Sequence, residues 1–181
     1  MNRPDAPEST ETRRERIARI QARPALLRAM MDLYARVDAR VAEADVACSG
    51  DGACCHFHQA GHRLFVSPVE LALLTLDDPG APELLGELRC PYQVDERCTA
   101  RLRRPLGCRT YFCQADEEWS ARLYEEFHAE LGALHERHGA RYEYMELSSA
   151  VAEVFPPDRA ASLPRGEKPG VFCVDTDGSR P

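Results

Sequence analysis

The chain has 181 residues, a formal net charge of -7 and eight cysteines; that length suits one domain with appended segments and is short for two. The acidic balance argues against a nucleic-acid binder, which shows a basic excess, and no run approaches the roughly 18 apolar residues of a membrane span. Isoleucine, leucine, valine and phenylalanine make up about a fifth of the residues, a thin supply for a core of this size, so cysteine chemistry is expected to supplement burial.

Residues 1–10 are polar and proline-punctuated, unlike a signal peptide, and read as a disordered leader of a cytoplasmic chain. A reducing compartment turns clustered cysteines toward metal rather than disulfides. A charged helix is expected over 11–20, and Pro24 sits well in the first turn of the next one. Leu26, Leu27, Met30, Leu33, Tyr34, Val37 and Val41 then recur at helical spacing to about Ala44, which marks a packing stripe.

Ser-Gly-Asp-Gly after Cys48 breaks that pattern into a loop. Ser67, Pro68 and Glu70 spell a capping box with proline at the first helical position, so a short helix is expected over 68–76, and a second over 82–88. The stretch 90–113 holds Pro91, Pro105 and Gly107, shows no sustained period, and is expected to be irregular chain that a metal must order. A long helix is predicted over 116–138, acidic in its first turn and ended by Gly139, with Trp119, Leu123, Phe127, Leu131 and Leu134 as its buried stripe. His128, His135 and His138 on that helix read as solvated. Residues 142–147 fit a short strand or a helical continuation through Val154, and 156–181 reads as a flexible tail containing Cys173. The fold class expected is mainly α: a small single domain over 11–155, its helices flanking an irregular cysteine-ligated metal centre at 48–113.

The candidate ligands fall in two clusters. The first is Cys48, Cys54 and Cys55, with Asp51 in the same loop; the second is Cys90, Cys98, Cys108 and Cys113. Soft, charged thiolate sulfur suits zinc and iron, and glycines beside it let backbone N–H groups turn toward it. Of the arginines crowding the second cluster, Arg109 is the expected neighbour of the metal ligands, while Arg101 and Arg103 read as solvated. His56, His58 and His62 read as packing or surface residues. Adjacent residues of extended chain point to opposite sides, and even in a turn two neighbouring sulfurs reach one ion only through a small, strained chelate ring, so Cys54 and Cys55 are expected to serve different centres, or one of them not to ligate.

These residues resemble the cysteine-cluster family of zinc- or iron-chelating domains, of the CxxCxxCC type. The match runs through Cys48, Gly52, Cys54 and Cys55, then Cys90-Pro91-Tyr92, Cys98, and Arg104-Pro105 to Cys108-Arg109-Thr110-Tyr111-Phe112-Cys113. It departs where Asp51 replaces the family's second cysteine and where Arg101 takes a position often aromatic. The resemblance implies chelation of zinc or iron, the iron as an ion or an iron–sulfur cluster. The function expected is a metal-binding module, structural or carrying a metal or a protein partner; the alternative is an iron–sulfur redox enzyme or a component of one. No catalytic triad, His-Glu-x2-His helix or nucleotide-binding glycine loop is present, and no Cys-x2-Cys pair suggests thiol–disulfide exchange.

Overall fold

The computed structural model describes residues 11–44, 46, 48, 52–77, 80–81, 84, 89–113 and 115–155. The expected leader 1–10 and tail 156–181 with Cys173, Asp51, and all but Leu84 of the helix expected over 82–88 lie outside the described residues. Helices dominate: α1 (Arg13–Gln21), α2 (Pro24–Glu43), α3 (Phe57–Ala60), α4 (Pro68–Leu74), α5 (Leu106–Thr110), α6 (Glu117–Arg137) and α7 (Leu147–Val154). Four two-residue strands accompany them: β1 (Phe65–Val66), β2 (Gln93–Val94), β3 (Arg97–Cys98) and β4 (Met145–Glu146). Among the described residues no helix is long and apolar enough to cross a membrane.

End chemistry sets the helices. Thr12 opens α1 with a reciprocal box, its hydroxyl accepting the Glu15 N–H at 3.2 Å while the Glu15 carboxylate accepts the Thr12 N–H at 2.8 Å. Pro24 occupies the first turn of α2, where its missing N–H has no partner to lose. Ser67 and Glu70 form the expected box at α4, and Asp116 caps α6 by accepting the Trp119 N–H at 2.8 Å. Such caps are worth about 1 kcal/mol each.

Helix α4 is buried all round, with α1, α2 and α7 packed against it. Helix α1 packs on α4 and α7, and α2 packs on α4, α5 and α6. Leu26, Leu27, Met30, Leu33, Tyr34 and Val37 of the expected α2 stripe are buried, as are Leu123, Phe127, Leu131 and Leu134 of α6, whereas Val41 and Trp119 lie at the margin. Strands β1 and β4 pair antiparallel, Phe65 opposite Glu146 and Val66 opposite Met145, and the Leu147 N–H donates to Leu64 O at 2.8 Å. The 142–147 stretch therefore ends as a strand and passes directly into α7.

Two expectations are corrected. The segment 90–113 is not irregular throughout: β2 and β3 form a hairpin with Gln93 opposite Cys98, α5 follows, and Tyr92, Ala100 and Leu106 enter the common core. Those anchors contribute about 1.5–3 kcal/mol for each large side chain. The histidines of α6 are not all solvated. His135 is 1% exposed, its Nδ1 lies 3.2 Å from Ala140 O, and burial lowers its pKa. His128 is half-buried, stacks on Tyr124 and places Nε2 2.6 Å from the Tyr142 hydroxyl.

Candidate metal centre

All seven described cysteines are free thiols, and local structure decides which of them meet. Gly52 adopts a left-handed φ of +68° and starts the 3₁₀ turn 53–55 that carries Cys54 and Cys55. The turn docks on the hairpin, Gln93 Nε2 donating to Gly52 O at 3.1 Å. Next to it His56 bridges Arg89 in antiparallel fashion, and the Cys90 N–H donates to Cys55 O at 2.8 Å. Cys98 comes from β3 and Cys108 from the middle of α5.

A glycine is required at 52, because an added Cβ would lie 2.6 Å from both Gln93 Nε2 and Glu96 O. Gly61 has a similar φ, +67°, with nothing within 4 Å of such an atom. Gly52→Ala is expected to cost about 2–3 kcal/mol, from backbone strain together with overpacking, and Gly61→Ala only about 1 kcal/mol, from strain alone. Equal losses in urea melts of the two variants would remove the close approach as the cause.

The electrostatics of the thiols record their convergence. Burial pushes the Cys108 thiol well up, the neighbouring charges of Cys98, Cys54 and Cys55 push it further, and Arg104 opposes them. Cys98 is raised by burial, against a hydrogen bond from the Ala100 N–H and the charges of Arg104 and Arg101. For Cys55 a hydrogen bond from Cys54 favours the thiolate; the hydrogen bond with Cys90, burial and the charges of Cys90 and Cys98 outweigh it, and the thiol is pushed up to about 12. Cys54, Cys55, Cys90, Cys98 and Cys108 thus form one locality built from three chain segments.

Cys54 and Cys55 lie on a 3₁₀ turn rather than on extended chain, and the Cys54 side chain acts directly on the Cys55 thiol. Cys48 is half-buried, and it is not among the largest influences on Cys55, Cys98 or Cys108. Cys113 is exposed and hydrogen-bonds to Tyr111, whose ring lies 5.7 Å from that of His62. His62 in turn meets Phe57 edge-on at 5.6 Å, which fits its packing role.

The arginines divide differently from the sequence expectation. Arg109 turns away from the sulfurs: it pairs with Asp38, donates to the carbonyls of Leu102 and Arg104, and lies 3.9 Å over the Tyr34 ring. Arg104 and Arg101 supply the positive charge near the thiols. Arg104 Nε is buried and has no hydrogen-bond partner among the described residues. Spacing alone could not separate these arginines, because Asp38, which pairs with Arg109, lies 71 residues upstream.

Comparison with protein-family models, with curated proteins and with solved structures finds no match. Among the described residues no group of three or more His, Cys, Asp or Glu side chains is positioned to hold a metal ion. The donor set nevertheless fits a thiophilic ion in kind: soft sulfur is gathered at the locality, like charge opposes the ionisation of Cys108, and an unspent Arg104 N–H stands beside it.

Proposed function

We propose that this chain is a zinc- or iron-binding protein whose ligands come from the thiols of Cys54, Cys55, Cys90, Cys98 and Cys108, with Cys48, Asp51 and Cys113 as the further donors expected from the sequence. The observation that carries this reading is the grouping of five thiols from a turn, a hairpin and a short helix, where the charges of Cys98, Cys54 and Cys55 push the Cys108 thiol up and those of Cys90 and Cys98 push up the Cys55 thiol. A bound cation relieves that repulsion, and its binding free energy adds to the stability of the segment. Zinc would supply a closed tetrahedral cross-link, and iron the means of electron transfer. Gly52 and the hairpin present Cys54 and Cys55, the clamp around Arg109 fixes Cys108, and Arg104 offsets negative charge.

Metal analysis after anaerobic purification is expected to find zinc or iron, and Cys98→Ser or Cys108→Ser to lower the content while Cys173→Ser leaves it intact. Iron–sulfur would be brown with inorganic sulfide; zinc would be colourless. A reduced, folded chain that takes up neither metal would end the proposal.

The raised thiol pKa values add a second expectation. Because burial and like charge push the Cys55, Cys98 and Cys108 thiols up, zinc addition should release one proton from each of these sulfurs that it captures, and affinity should fall as pH falls. Proton release measured in weakly buffered solution checks this; zinc uptake without acidification would mean that sulfur is not the ligand.

A further inference from the structure

We infer that Cys55 and Cys90 are a disulfide-forming pair, so that the thiol locality is also a site of reversible oxidation. The inference concerns residues of the proposed metal site, but the pairing itself does not depend on a metal being bound there.

Three observations select this pair. The Cys90 N–H donates to Cys55 O at 2.8 Å, so the two backbones are already in register. His56 and Arg89, the adjoining residues, form an antiparallel bridge, which places 55 opposite 90. The Cys90 side chain is also one of the neighbours that push the Cys55 thiol up, so the two side chains are close to one another. Residues opposite one another in an antiparallel pair have Cα atoms about 4.5–5.5 Å apart, inside the range of about 4.4–6.8 Å that disulfides use.

The competing partner for Cys55 is Cys54, which also acts directly on its thiol. Consecutive Cα atoms are held about 3.8 Å apart by the peptide bond, below that range. Cys90 is therefore the partner that needs less backbone movement. With hydrogen peroxide as oxidant, the S–H bonds of Cys55 and Cys90 and the O–O bond break and an S–S bond forms. Two electrons and two protons pass from the thiols to the peroxide, which leaves as two waters. Two donors are then lost to any metal, so oxidation empties the site and thiol reductants restore it.

The test uses the full chain, stripped of metal and reduced, then treated with hydrogen peroxide at stoichiometric dose and blocked with N-ethylmaleimide. Peptide mapping without reduction should find Cys55 joined to Cys90, with two fewer free thiols per chain. The link should vanish in Cys55→Ser and persist in Cys54→Ser; should Cys54→Ser fail to fold, fragmentation of the linked wild-type peptide assigns the sulfur. A vicinal link between Cys54 and Cys55, a link from Cys90 to Cys54, or no link would each overturn the inference. Repeating the treatment after zinc loading separates the two readings. Protection by zinc supports both, whereas a link formed equally with and without zinc sustains the pair and counts against these thiols as zinc ligands. Zinc binding by a stripped chain that forms no link leaves the metal reading standing and removes the pair.

Discussion

Arg109→Ala is expected to destabilise the protein by about 3 kcal/mol, read as a lower urea midpoint and a melting temperature lower by about 10 °C. The Arg109 side chain is 3% exposed and closes a ring of contacts: with Asp38 and Tyr34 one turn apart on α2, and with the carbonyls of Leu102 and Arg104 ahead of α5. The ion pair itself adds little, because Asp38 is half exposed. The loss comes from two carbonyls left without their donor and from the face of Tyr34 left uncovered. Arg109→Lys should recover only a small part, since an ammonium cannot fork between two carbonyls and a carboxylate. Full recovery by lysine would show that charge alone matters there.

Glu70→Ala should cost a similar amount. Within the all-buried α4, the Glu70 carboxylate accepts the Ser67 N–H at 2.7 Å, the Leu106 N–H at 2.8 Å and the Tyr34 hydroxyl at 3.4 Å. It therefore ties the start of α4 to the start of α5 and to α2, and its removal strands two buried N–H groups at about 1–3 kcal/mol each. Its pKa is raised by burial, against the hydrogen bonds of Leu106 and Ser67 and the charge of His128. In the unfolded chain the carboxyl ionises near 4.3. A raised folded value means that the unfolded state sheds its proton first, so stability is greatest below that pH and falls as pH rises through the folded pKa. Glu70→Gln should flatten this fall. Parallel pH–stability curves for the wild type and the glutamine variant would show that the slope belongs to other groups.

The long helices were legible because their signals are local. Pro24, the Ser67–Glu70 box, Asp116 and Gly139 sit within a few residues of the ends they mark, and the α2 and α6 stripes repeat over several turns. The hairpin was not legible. Its strands are two residues long, and its turn places Asp95 and Glu96 at φ +48° and +60° with no glycine to announce it. His135 was misjudged for a similar reason: its sequence neighbours are charged, while the carbonyl of Ala140 that receives it is supplied by the chain returning after Gly139. The grouping of Cys55 with Cys90 rests on a single bridge between distant segments, and composition carries no trace of such a contact. What the sequence does carry is the expectation of soft-donor chemistry between residues 48 and 113, because cysteines flanked by glycine and proline point to it wherever the turns fall.

Trp119 is the chain's single tryptophan. It lies in the first turn of α6 with its ring 6.5 Å from that of Phe112, the residue immediately before Cys113. One indole emitter is thus seated at the seam between the helical core and the end of the cysteine segment. Its fluorescence is a label-free gauge of that seam, against which the proposed zinc loading and the proposed oxidation by peroxide can be tested in real time on the unmodified chain. Zinc bound as proposed, though colourless and without an absorption band of its own, would then be titratable by light.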